Sequence, residues 1–320
     1  MKKFTKTWLT IGMSLIVIGC VLFLILMTII KWDFTKLANT KFETNTYEIN
    51  EMFNDMSIET ETANIEFKLS SDENCKVICY EEEKAKHIVK VVEEVLIIKI
   101  DNKKTWFDYL KVEFDSPKIT IYLSKAEYDK LSIKEKTGNI EIPNNINFTD
   151  ADINLSTGDV NFCADIKDTL KIKTTTGEIN IDSISTGLVD ISVSTGRVTV
   201  SNLVCENEFI VKTSTGKIHL KNIICKKVIS TGKTGDILLE NVVASDSFSI
   251  ERSTGNIKFE SCDANTLDVK TKTGNVSGSL LSNKVFIVTT NTGKVNVPKT
   301  IDGGKCEIST STGNIDITIS

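Results

Sequence analysis

The side chains best suited to chemistry are few and scattered. Two histidines occur, His87 and His219. General acid–base and metal sites lean heavily on histidine, yet neither has an evident partner nearby, so both are read as hydrogen-bonded or solvated. Eight cysteines, Cys20, Cys75, Cys79, Cys163, Cys205, Cys225, Cys262 and Cys306, form no metal-ligand spacing. Cys75 and Cys79 lie four apart on a strand-like run, about 13 Å at strand rise, too far to bridge. Cys205 and Cys225 occupy the same position in adjacent repeats. A disulfide and a ladder of free thiols both fit them, and free thiols are expected. Acidic Asp159, Glu178 and Asp236 recur once per repeat and alternate with Arg197 and Lys217. No paired carboxylates and no Ser/His/Asp arrangement emerge. The expectation is therefore no catalytic residue, no metal ligand and no cofactor: not an enzyme.

What must position any site is a repeat. Ten Thr-Gly dipeptides fall in one register, with glycines at Gly138, Gly158, Gly177, Gly196, Gly216, Gly235, Gly255, Gly274, Gly293 and Gly313, each 19 or 20 residues from the next. Two residues after each glycine comes Ile or Val. Four after, the column is apolar except at Gly278; five before, it is apolar except at Ser230. A thinner column seven after the glycine holds Ile184, Leu203, Ile223, Val242, Cys262 and Leu281. Period-two alternation rich in β-branched residues marks strands, and glycine supplies the turn. A coil this short cannot bury its own inward face, so the coils must stack, about 4.8 Å apart. The expected fold is all-β: a single-chain β-solenoid with the ten glycines as structural turns. Its uniform coils leave no long loops to wall a groove, as polysaccharide-acting β-helix enzymes require. Several coils read Thr-x-Thr, as at Thr174/Thr176 and Thr213/Thr215; these threonines share parity with the inward columns and are expected to line a corner.

Residues 1–7 are basic and read as a cytoplasmic tail, and residues 8–30 carry no charge over a length that spans a bilayer. An uncleaved transmembrane anchor is expected there. Lipidation at Cys20 is the other reading, though ten apolar residues follow it. Residues 31–46 read as a tether, 47–130 as a first coil and β-meander cap, and 131–320 as the Thr-Gly repeats. The hidden first coil has Ala63 in the glycine's place. The net charge of −5 carries no nucleic-acid signature. The expected partners are the lipid bilayer through residues 8–30, an unidentified protein or cell-envelope component, and a second copy of the chain.

The run Lys118-Ile-Thr-Ile-Tyr-Leu123, then Tyr128-Asp-Lys-Leu-Ser-Ile133 and Lys136-Thr-Gly-Asn-Ile-Glu-Ile142, resembles the entry to the repeats of the bacterial toast-rack "putative adhesin" family. Ser124 departs from it, since relatives tend to carry proline there. The resemblance implies a cell-surface β-solenoid with an adhesive or envelope role, and it brings no catalytic residues. Adhesion or protein scaffolding is the expected function; a part in envelope-stress sensing is the alternative. Two contact surfaces are expected. One is the aromatic cluster Trp106, Phe107 and Tyr109, read either as cap core or as an exposed hairpin. The other is the last strand, with Ile315, Ile317 and Ile319, read either as a frayed coil or as an open edge at the far tip.

Overall fold

The computed structural model describes residues 3–29, 31–33, 40–71, 74–106, 108 and 115–320. A helix spans Lys3–Ile29. Within it, Lys6–Ile29 is long and apolar enough to cross a membrane, and its residues are exposed apart from Gly12 and Met27. The rest is one continuous parallel β-stack, with antiparallel strands only at its N-terminal end.

Coils are named here by the residue at their turn. Ala63 takes the glycine's place as expected: Ile58 pairs with Ile133, Thr62 with Thr137 and Ile65 with Ile140. From the Gly138 coil to the Gly274 coil the layers follow chain order, and the threonines before the turns pair layer to layer, as Thr157 with Thr176 and Thr176 with Thr195. The inward Ile, Val, Leu and Phe columns merge into one buried core running along the stack. Each fully buried Ile or Leu contributes about 1.5–3 kcal/mol relative to exposure, an amount the single coil could not gain alone.

Each coil turns three times. The first corner is Thr-Gly. The second lies six residues later, where Ser183, Asn202, Asn222, Asn241 and Ser261 adopt φ near +50 to +60°. Asparagine tolerates that left-handed conformation better than most residues. Here it also forms a side-chain ladder: Asn202 donates to Asp182, Asn222 to Asn202 and Asn241 to Asn222. The third corner is marked by register shifts between Cys225 and Lys227 and between Ala244 and Ser247. The Gly274 coil shortens its second corner. Leu280 pairs with Cys262 and fills the inward column, while Leu281, expected there, is exposed.

Both ends depart from chain order. At the N-terminal end, Val95–Asn102 and Lys118–Leu123 form a further parallel layer on the outside of the Ala63 coil. Ala85–Val92 and Cys75–Glu82 then pair antiparallel with that layer, and Phe42–Ile49 pairs with Cys75–Glu82. The strand from Phe42 thus begins inside the stretch read as tether. The strand-like run Lys111–Phe114 lies outside the described residues.

At the C-terminal end the last two coils exchange places. The Gly274 coil pairs with the Gly313 coil, through Thr273 with Thr312 and Val276 with Ile315. The Gly293 coil pairs outside that, through Thr292 with Thr312 and Val295 with Ile315. The chain skips one layer, lays down the outermost coil, then returns to fill the gap. Gly303 and Gly304 make the return feasible. A Cβ on Gly303 would meet the Asn283 carbonyl oxygen at 1.9 Å, and one on Gly304 the Asn265 carbonyl oxygen at 1.8 Å. The backbone is threaded between two neighbours with no room for a side chain.

Candidate functional site

The Thr-Gly corner is built to hold itself together. Each turn glycine except Gly293 donates its N–H to the threonine carbonyl of the next layer, as Gly158 to Thr176 and Gly216 to Thr234. The residue after the glycine adds a ladder of its own. Asp159 Oδ1 accepts the Glu178 N–H at 2.7 Å, and Asp236 Oδ1 accepts the Asn256 N–H at 2.8 Å. These two carboxylates cap the neighbouring turn, while the Glu178 carboxylate lies 3.8 Å from Arg197. In the Thr-x-Thr pairs the second threonine is exposed and the first is buried, as Thr215 and Thr213, except that Thr290 is half-buried. The inner hydroxyls bond turn carbonyls one layer away: Thr271 to Gly255, Thr310 to Gly274 and Thr290 to Gly313.

That inner column is polar along much of its length, and two members stand out. Glu135 pairs with Thr60 and is buried. One oxygen accepts the Ala63 N–H at 3.0 Å, and the other has no protein partner. Burial pushes its carboxyl up to about 8 from 4.5. An acid whose folded pKa is raised contributes stability that is present in full below pH 4.5 and is lost as pH rises through about 8. Wild-type protein is therefore expected to lose about 1.4 kcal/mol per pH unit across that window, and Glu135→Gln to flatten the slope. Thermal midpoints at pH 5 and pH 8.5 check this; equal slopes for the two proteins would contradict it. The second member, Arg252, is taken up below.

At the N-terminal end the structure joins residues that sequence reading left apart. His87 Nδ1 lies 2.7 Å from Glu81 Oε2, and His87 Nε2 lies 2.9 Å from Thr60 Oγ1. The same Glu81 oxygen accepts the His87 backbone N–H, and its other oxygen accepts Asn45 Nδ2. Cys79 brings a third donor type, within 4.8 Å of Glu81 and His87. Hydroxyl, imidazole and carboxylate in this order can relay a proton to activate a nucleophile. Here all three are buried, and burial pushes the Cys79 thiol up to about 12. Every bond closes inside the wall, so the group fastens the hairpin onto the Ala63 coil. The signal was present in outline: Cys79 and Glu81 alternate onto one strand face, and a tight turn at Glu83-Lys84 places His87 opposite. His219 sits on the outside, 3.3 Å from Glu240 Oε1.

Trp106 is 66% exposed at the N-terminal end; Phe107 and Tyr109 lie outside the described residues. At the other end, Ile315 and Ile317 are buried, and Ile315 pairs on both sides, with Val276 and Val295. The expectation that the last strand forms the outermost layer is corrected: that layer is the Gly293 coil. Its strand Lys284–Thr292 pairs on one side only among the described residues. It exposes Val285 and Ile287, with Val295 beside them. All eight cysteines, Cys205 and Cys225 included, are free thiols. A groove of about 640 Å³ crosses several coils beside Tyr128 and Phe148, but both rings are buried, so they offer no flat face for stacking a sugar.

The chain matches the Toastrack DUF4097 family over residues 53–207 and 204–320. It belongs to that family. The match takes in the Ala63 coil, the β cap that follows it and every Thr-Gly coil. Among solved structures it is similar to a "putative adhesin" from Bacteroides fragilis NCTC 9343, at 17% identity and TM-score 0.42, covering 87% of this chain and 97% of that one. It is also similar to a "putative adhesin" from Parabacteroides distasonis ATCC 8503, at 15% identity and TM-score 0.44, covering 75% and 98%. A "putative lipid binding protein" from the same organism matches at 16% identity and TM-score 0.44, covering 74% and 94%. No curated protein matches the chain.

Proposed function

We propose that this toast-rack protein is a non-catalytic rod, anchored in the membrane by its N-terminal helix, that makes protein contacts outside the cell through its far edge. Adhesion and scaffolding are both served by such a contact. The observation that carries the reading is the outer edge of the Gly293 coil. Exposed sheet edges are ordinarily blunted by charge. Phe42–Ile49 carries Glu43 and Glu48, and Ala85–Val92 carries Lys86 and Lys90. Lys284–Thr292 carries one charge, Lys284, and that side chain is buried in an ion pair with Asp263. Unpaired backbone beside exposed Val285, Ile287 and Val295 suits strand addition by a second copy or by another protein. Lys2, Lys3 and Lys6 ahead of the apolar helix favour a cytoplasmic N-terminus, which would put this edge outside.

Ile287→Lys is the test. It places a charge on the edge without touching the buried layer beneath. Sedimentation of the full chain in detergent is expected to show association for wild type, or capture of a second protein from the cell envelope, with a loss of tenfold or more in the variant. Unchanged association with an unchanged thermal midpoint would reject the edge as the contact.

A further inference from the structure

The repeat is broken in neighbouring coils at one place. Five residues before the turn glycine, Ser230 replaces the apolar residue found in every other Thr-Gly coil. Three before, Gly232 stands in the same coil and Arg252 in the next, where Thr213 and Thr271 stand on either side. The structure puts these exceptions together. Thr213 pairs with Gly232 and Gly232 with Arg252, while Ser230 pairs with Ile250. The side chains point into the core: Arg252 is 1% exposed, and Ser230 is fully buried.

Gly232 is there because Arg252 needs the space. A Cβ on Gly232 would lie 1.7 Å from Arg252 Nη1. Through that gap the guanidinium crosses a whole layer and donates from Nη1 to Thr213 Oγ1 at 2.6 Å. The remaining groups have no protein partner: Arg252 Nε, Arg252 Nη2 and Ser230 Oγ are all buried and unbonded. Nε and Nη2 form one side of the guanidinium, the fork that grips an anion with two parallel N–H bonds. Among the described residues no carboxylate forms an ion pair with Arg252. Burial lowers its pKa only to about 10, so it remains a cation at neutral pH. A buried charge is strongly unfavourable unless paired, and an orphaned buried donor calls for an unseen water or ion. Two waters would satisfy the hydrogen bonds but leave the charge.

We propose that the Nε–Nη2 edge of Arg252, with the Ser230 hydroxyl, holds a small monovalent anion of the chloride class inside the solenoid. The ion clamps the three coils that Arg252 crosses. Its recognition is by charge, by the fork and by size, since a closed interior excludes large organic anions.

The full-length protein in detergent is compared in sodium chloride, sodium bromide and sodium gluconate at matched ionic strength. The thermal midpoint is expected to be about 3 °C higher in either halide than in gluconate, saturating with halide concentration, as for a ligand that binds only the native state. Arg252→Thr, which restores the column residue of the neighbouring coils, is expected to fold and to lose the halide effect. Equal wild-type midpoints in all three salts, or an effect that survives in Arg252→Thr, would overturn the proposal. Should the variant fail to fold, wild-type crystals grown in bromide decide: an anomalous peak at the Nε–Nη2 edge supports the site, and density for water alone rejects it.

Discussion

Replacing Gly216 by valine is expected to prevent the solenoid from closing. The glycine has φ +152°, and an added Cβ would lie 1.6 Å from the Gly196 carbonyl oxygen. The atom it strikes is backbone, held in the turn stack by the Gly196 N–H bond to Thr215. No side chain can swing aside, so the two layers would have to part. Separating them breaks the corner hydrogen bonds and opens the core beneath, a combination costing more than about 4 kcal/mol. Little folded, protease-resistant protein should accumulate. Lys217→Val, at the exposed next position, is the matched control and should change stability by less than about 0.5 kcal/mol. A Gly216→Val protein with a wild-type thermal midpoint would show that the turns are not packed glycine on glycine.

The second large effect is a contrast between two deletions. Removing residues 159–177 takes out one coil from Asp159 through Gly177 and joins Gly158 to Glu178. Every inward column, both ladders and the threonine stack stay in register, because Glu178 already follows Asp159 in the capping ladder. Stability in a stacked repeat is close to a sum over layers and their interfaces, so a cooperative transition a few degrees lower is expected. Removing only residues 168–177 strips a strand and its turn and leaves an unmatched half coil. Loss of the cooperative transition is expected there, measured by circular dichroism on heating. Comparable damage from both deletions would argue against interchangeable layers. The excised coil is chosen away from Thr213, since Arg252 bonds across that layer.

The columns were legible because they are one-dimensional. Inward residues at fixed offsets from Thr-Gly need no knowledge of the fold beyond strand periodicity, and nearly all of them are buried as read. The second corner was less visible: its left-handed residues Asn202, Asn222 and Asn241 look like ordinary loop asparagines until their ladder is seen. Leu281 was misplaced because a one-residue shortening at Gly278 shifts the column and leaves Leu280 in it. The exchange of the last two coils could not be read from the repeats themselves. Every layer presents the same edge, so either coil fits either slot, and the choice rests on the connection. Gly303-Gly304 was the available sign, a glycine pair where two backbones press from either side. At the other end, the Thr60–His87–Glu81 group escaped notice because Thr60, 27 residues from His87, meets the Glu81–His87 hairpin only on folding.

The most direct measurement uses Ile287 and Ile224, both exposed and apolar, at 49% and 60%. Ile287 lies on the outer edge of the Gly293 coil; Ile224 lies on the side of the stack, on the strand Ile218–Thr234. Each is changed to cysteine in the full-length protein, and intact cells are treated with a membrane-impermeant maleimide carrying a photo-cross-linker. Labelling at both positions is expected, followed on illumination by a cross-linked species for Ile287→Cys and none for Ile224→Cys. Absence of labelling at both positions, or cross-linking from 224 and not from 287, would contradict an external rod that makes its contacts at the tip.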